Sequence, residues 1–205
     1  MTSKAGNDAC NAGVVLIEQQ LIALTTFLTL LADWAGKGRA LPDLTAGERY
    51  LQRRRAASRA SPHVEAGVRL KLEPVPIRLL WERFQDHPEA SSRVLRTACS
   101  NAILAVAAFF EQHGMGALKT PEVQFLMRIR DAALNANLFE IESGQYIPVA
   151  TFDGLAISDK LNGAPLFGDE TTAGFLELGD VAALLAYLST HLSGVQTMVS
   201  AGDAG

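Results

Sequence analysis

The stretch Ala102-Ile103-Leu104-Ala105-Val106-Ala107-Ala108-Phe109-Phe110 decides the fold. It carries no polar side chain and is apolar on every face of a helix. A helix apolar all round is a buried one, so this segment reads as the central helix of a bundle. Its bounds follow from its flanks. Asp86, then Pro88 in the first turn with Glu89 after it, form an N-terminal signature, and His113-Gly114 stops the helix after about Gln112.

Working outward, Val14, Ile17, Leu21, Leu24, Leu28, Leu31 and Ala35 recur at steps of three and four, the spacing of one helical seam. Ala23, Phe27, Leu30 and Trp34 form a second seam beside it. Two apolar seams predict packing on two sides, by a core and by a partner subunit. Gly36 and Gly38 end this first helix. Residues 1–12 are small and polar and read as disordered. A further helix is expected over Pro76–Gln85. Thr120-Pro121-Glu122 opens another, running to Asn135 or Asn137. Tyr146–Ser158 and Leu161–Phe167 alternate weakly about Asp153-Gly154 and Asn162-Gly163, which predicts a small β-hairpin over 146–167. Asp180 caps a last helix with Val181, Leu184, Leu185, Leu188 and Leu192 on one face. Gly194 ends it, and 195–205 is expected to fray. The predicted fold is mainly α, an antiparallel helical bundle with a small appended β-hairpin, as one domain over 13–194.

Composition narrows the function classes. The chain has 205 residues, enough for a core without staples, and 48% of them are hydrophobic and 20% charged. Cys10 and Cys99 have no partner at zinc-site spacing, and two cysteines in a chain of this size read as reduced and cytoplasmic. Val14–Leu31 is interrupted by Glu18, Gln19, Gln20 and threonines, so neither a signal peptide nor a membrane span is expected. No GxGxxG or GxxxxGK[ST] pattern occurs, the serine-hydrolase elbow is absent, and the histidines at 63, 87, 113 and 191 form no metal pair. No metal or cofactor is expected. The net charge is −4, yet Arg49–Lys71 holds seven basic residues against Glu65 alone. This basic part of the 37–73 connection is either a local anion contact or a solvated loop.

Several polar residues stand out of pattern. Arg130 has Leu126, Met127, Ala133 and Leu134 as its helical neighbours, so it is paired, placed at an interface, or drawn to the rim on its long stem. Arg128 has a mixed, solvated environment, and Arg128–Asp131 reads as a surface pair. Asp131 and Asn135 are one turn apart, with Asn137 close behind. They gather polar groups near a helix end, where asparagine is also an ordinary cap. Asn101, among Thr97, Ala98, Leu104 and Ala105, reads as buried. It is bonded either to backbone or to Arg130 of the neighbouring helix.

The run Arg130-Asp131-Ala132-Ala133-Leu134-Asn135-Ala136-Asn137-Leu138-Phe139-Glu140-Ile141 resembles the signature of HEPN domains, helical bundles of prokaryotic toxin–antitoxin, abortive-infection and CRISPR-associated proteins. That signature is an arginine, a polar residue, three further residues and a histidine. Arg130 matches the arginine, Asp131 the polar position, and Asn137 and Phe139 the tail. Asn135 stands where the family has histidine. The order of helices over Val14–Leu192 is also similar.

The resemblance implies a metal-independent endoribonuclease scaffold. It would act as a homodimer whose two motifs face one cleft. Arg130 would hold the phosphate and Asp131 would orient its partners. Asn101, Asn137 and Arg128 would line the RNA site. Asparagine cannot act as a general base near neutral pH. Three explanations follow for Asn135. The protein is a degenerate member that binds RNA or a partner; His63, His87 or His113 supplies the base; or Asn135 is an inactivating substitution. The expected function is a HEPN-type RNA-directed protein of a toxin–antitoxin or phage-defence system, with RNA, an antitoxin or another protein as partner. The alternatives are a non-catalytic HEPN-like dimer that regulates a partner, and an unrelated helical interaction module.

Overall fold

The computed structural model describes residues 3–36, 90–142, 144, 146–169 and 171–202. Contacts divide the chain into one unit of Met1–Leu30 with Ser91–Gly205 and another of Leu31–Ala90. The expected Pro76–Gln85 helix and the basic 49–71 segment lie outside the described residues, as do His63 and His87.

The elements are α1 (Ser3–Gly36), α2 (Ala90–Gln112), α3 (Pro121–Leu134), the strands β1 (Thr151–Phe152) and β2 (Leu155–Ala156), a 3-10 turn at Asp159–Leu161, and α4 (Leu178–Gly202). The architecture is a mainly helical bundle with a two-stranded antiparallel hairpin, Thr151 opposite Ala156 and Phe152 opposite Leu155.

α2 is central, but it is not buried on every side. Cys99, Ala102, Ile103, Val106, Ala107 and Phe110 are buried, whereas Asn101 and Ala108 are exposed. The alanines make the helix apolar all round without requiring it to be covered all round, because one exposed methyl costs little. At its end the amides of Met115 and Gly116 both donate to the Phe110 carbonyl, and Gly114 sits at φ +69°, the left-handed stop that glycine supplies without strain.

α1 begins at Ser3, so the polar start is helical rather than disordered. Its side of the core is the first seam: Ile17 and Leu24 are buried, and Val14 and Leu21 pack against the core. Cys10 extends that face toward the N-terminus. Gly13 explains how: a Cβ there would lie 2.6 Å from Phe109 Cε1 and 2.7 Å from Leu192 Cδ1, so the missing side chain lets α1 lie close on α2 and α4. Tertiary packing holds a segment whose composition alone would not.

α3 starts where Pro121 permits it and buries Val123, Phe125, Leu126, Met127, Ile129 and Ala132. Phe125 joins it to the hairpin and to the loop before α4, with its ring centroid 6.1 Å from Phe152 and 5.9 Å from Phe175. The hairpin turns on Asp153-Gly154 as its sequence predicts, both at positive φ. The Asn162-Gly163 segment is instead the exit of the 3-10 turn, and Leu138–Pro165 is an isolated bridge. α4 buries Val181, Leu184, Leu185, Leu188 and Leu192. Asp180 serves its start from within the helix, accepting the Glu177 amide on Oδ2 at 2.8 Å. The helix passes Gly194 and continues to Gly202, since a single glycine costs only about 1 kcal/mol in a helix.

Among the described residues, two stretches, Gly6–Leu31 and Ser92–Gln112, are long and apolar enough by length and composition to cross a membrane. The polar interruptions in Val14–Leu31 do not remove it from that class.

Candidate functional site

The motif segment forms the corner between α3 and the loops that follow. Arg130 is on the last turns of α3, and its side chain is 20% exposed. Its Nε and Nη2 donate to Asp131 Oδ1 at 2.9 and 2.5 Å, and Nη1 donates to Glu111 Oε1 on α2. Nη1 also approaches Met127 Sδ at 3.6 Å. Partial burial acts against the charged guanidinium. The hydrogen bonds and charges of Asp131 and Glu111 outweigh that effect, so its pKa lies above the ordinary arginine value. An arginine on an apolar stripe is tolerated here because two carboxylates neutralise it. Asp131 is thereby the partner of Arg130, not of the half-buried Arg128.

The two asparagines are bound to the backbone. Asn135 is the C-cap of α3: its amide N–H donates to the Asp131 carbonyl at 2.9 Å, and its Nδ2 donates to the Leu138 carbonyl at 3.2 Å. Ala136 and Asn137 follow at φ 50° and 71°, turning the chain sharply. Left-handed backbone disfavours residues with a Cβ, and asparagine is among the few that adopt it readily. Asn137 then reads the peptide of Phe167 on both sides: Nδ2 donates to the Phe167 carbonyl, and Oδ1 accepts the Phe167 amide, each at 2.9 Å. One side chain thus acts as a rung of sheet. The same joint is closed by the Leu166 amide to the Asn137 carbonyl at 2.8 Å, Phe139 to Ala164 at 3.0 Å, and Gly163 to Phe139 at 2.8 Å. Asn162 Oδ1 receives the Ile141 amide at 3.0 Å.

The proposed cluster therefore divides. Arg130 and Asp131 stay together, Asn135 faces its own helix end, and Asn137 faces the 166–167 loop. Asn101 is exposed rather than buried. It lies ten positions before Glu111 on α2, on the order of 15 Å along the axis, so it does not face Arg130. His113 is half-buried, with Nδ1 2.9 Å from the Phe109 carbonyl and its ring tilted 31° against that of Phe109, centroids 4.1 Å apart. The carbonyl selects the Nδ1–H form and leaves only Nε2 for proton chemistry.

Sequence reasoning missed Glu111 and the Phe167 peptide. Glu111 stands 19 positions before Arg130 on another helix and has no local signature. The Phe167 peptide is backbone, invisible to any motif. Among the described residues, no three or more His, Cys, Asp or Glu side chains are grouped to hold a metal ion. Both cysteines are free thiols. Burial raises the pKa of Cys10 and pushes that of Cys99 up to about 11, so neither is an activated nucleophile.

No family model matches the chain, and neither a curated protein nor a solved structure matches it.

Proposed function

We propose that this protein is a non-catalytic helical interaction module, and that Arg130–Asn137 is a structural corner within it rather than a ribonuclease centre. One observation carries this reading. The Arg130 guanidinium, the group that would hold a phosphate, is occupied by Glu111 and Asp131. A nucleic-acid phosphate would have to displace two carboxylates and would meet their negative charge. The commitments of Asn135 and Asn137 to backbone groups point the same way, and neither amide can serve as a general base. A reducing, cytoplasmic setting suits the two buried free thiols.

The test is RNA cleavage and RNA binding in EDTA, comparing the wild-type chain with Asn135→His and Arg130→Ala. The expected result is no cleavage by any version and no RNA affinity that depends on Arg130. Cleavage that rises with Asn135→His and vanishes with Arg130→Ala would overturn the proposal and assign the HEPN endoribonuclease function, with its RNA-directed role in toxin–antitoxin or defence systems.

A further inference from the structure

Asn162-Gly163 is the one Asn-Gly pair in the chain; the other asparagines precede Asp8, Ala12, Ala102, Ala136 and Leu138. The pair follows the 3-10 turn, and both residues are exposed. Gly163 sits at φ +76°, and a Cβ there would meet nothing within 4 Å, so the backbone requires glycine and space does not. The same missing side chain leaves its nitrogen unhindered toward Asn162. Asparagine is chemically labile, and an unhindered amide nitrogen one residue on can attack its side-chain carbonyl. Two hydrogen bonds to the 139–141 segment hold the pair. Gly163 N–H donates to the Phe139 carbonyl at 2.8 Å, and the Ile141 amide donates to Asn162 Oδ1 at 3.0 Å. The Phe139 amide in turn donates to the Ala164 carbonyl at 3.0 Å.

We propose that Asn162 is a self-modification site: it deamidates through a cyclic imide when its joint with Phe139–Ile141 opens, and the isoaspartyl product then keeps that joint apart. The chemistry balances with water alone. Gly163 N loses its proton to solvent base and bonds to Asn162 Cγ. The Cγ–Nδ2 bond breaks, and ammonia leaves with a proton taken from solvent. Water then adds to one of the two imide carbonyls. Opening at Cγ gives aspartate. Opening at the main-chain carbonyl of residue 162 gives isoaspartate, with the chain running through Cβ and Cγ. The folded chain restrains the first step in two ways. The extended ψ of 125° at Asn162 turns the Gly163 nitrogen more than a right angle away from the side chain, whereas attack needs the two atoms aligned and about 3 Å apart. The hydrogen bond to Phe139 also favours the protonated nitrogen over the anion that attacks. Ile141 acts oppositely, because its amide would steady negative charge on Oδ1, so the placement of the nitrogen sets the rate. The two products differ in consequence. Aspartate keeps an oxygen for the Ile141 amide. Isoaspartate lengthens the main chain by one atom before Gly163, which carries Gly163 N–H and the Ala164 carbonyl out of register with Phe139. Asn137 clasps Phe167 in the same joint, so the change falls where the corner is closed. The inference stands on this joint alone and is independent of the function assigned to the Arg130 corner.

The experiment ages the full chain in mildly alkaline buffer, with and without urea, and follows every asparagine by peptide mass spectrometry. Asn162 is expected to change first in both, its side-chain amide replaced by a carboxylate and isoaspartate the larger product. The native rate is expected to lie at least roughly tenfold below the rate in urea, because attack waits on local opening. The isoaspartyl chain is then separated and returned to native buffer for amide hydrogen exchange. It is expected to lose protection at Phe139, Ile141 and Gly163, while Asn162→Asp, which reproduces the other product, keeps it. Equal rates in native buffer and in urea would overturn the inference, as would earlier change at another asparagine. Undiminished protection of those three amides in the isoaspartyl chain would overturn it as well. None of these readouts involves RNA, so failure here leaves the functional proposal separately testable.

Discussion

The Arg130–Ile141 corner and the outer face of α1 are opposites. The corner is dense in arginine, aspartate and asparagine, yet the polar groups of Arg130, Asn135 and Asn137 are bonded within the chain. The α1 face is chemically plain, yet Val15, Ile22 and Leu30 are large apolar side chains left half or more uncovered. Conspicuous residues therefore do not make a site when their bonding capacity is already used, and inconspicuous ones can make a surface when theirs is not.

The contrast can be broken most sharply at Asn137. Asn137→Ala removes two hydrogen bonds, strands the Phe167 peptide and leaves a Cβ residue at φ 71° without compensation. A loss of about 2–4 kcal/mol is expected in urea unfolding. Asn137→Gly, which relieves the backbone but not the peptide, should lose less. A neutral outcome for both would mean that the corner is not held by this residue.

The ion pair should matter less. A double-mutant cycle with Arg130→Met and Glu111→Gln is expected to show coupling of about 1 kcal/mol or less, because Glu111 is 55% exposed, and salt should reduce it. Coupling of several kcal/mol would make Arg130 the keystone of the α2–α3 contact instead.

On the α1 side, Ile22→Thr should change the stability of the folded monomer by no more than about 0.5 kcal/mol, since the side chain is 65% exposed. A large loss of monomer stability would mean that the chain itself covers this face.

The smallest expected effect is at Asp169. Hydrogen bonds from the Thr171 hydroxyl, then from the Thr171 and Thr172 amides, hold its pKa below the ordinary 3.8. A carboxylate lowered in the folded state contributes stability above its unfolded pKa and loses it as pH falls through the folded one. Asp169→Asn should therefore lower stability slightly at neutral pH, leave it unchanged in strong acid, and so flatten the acid end of the stability–pH curve. A loss that persists undiminished in strong acid would point to a different role for that loop.

Much of the fold was legible in the chain. The end of α2 at Gln112, the Pro121 start of α3, the Asp153-Gly154 turn and the buried face of α4 are local signals, set by proline, glycine and periodicity. The candidate site was legible only as a list of residues. Asn101 looked buried from its neighbours but is exposed, because an all-apolar helix does not announce which side its partners occupy. The helical start at Ser3 was hidden because Gly13, Phe109 and Leu192 meet from three separate helices.

The sequence by itself determined where α2 stops and α3 starts, that the helices assemble into a mainly α bundle, and that α1 carries an apolar seam for the core. These depend on backbone preference and on the 3.6-residue period, both local properties. Only the tertiary structure decided that Arg130 belongs to Glu111 and Asp131, that Asn137 belongs to the Phe167 peptide, and that no described residue covers Val15, Ile22 and Leu30 of α1. Those outcomes depend on which groups arrive within about 3 Å of one another across long stretches of chain, and no local pattern encodes that.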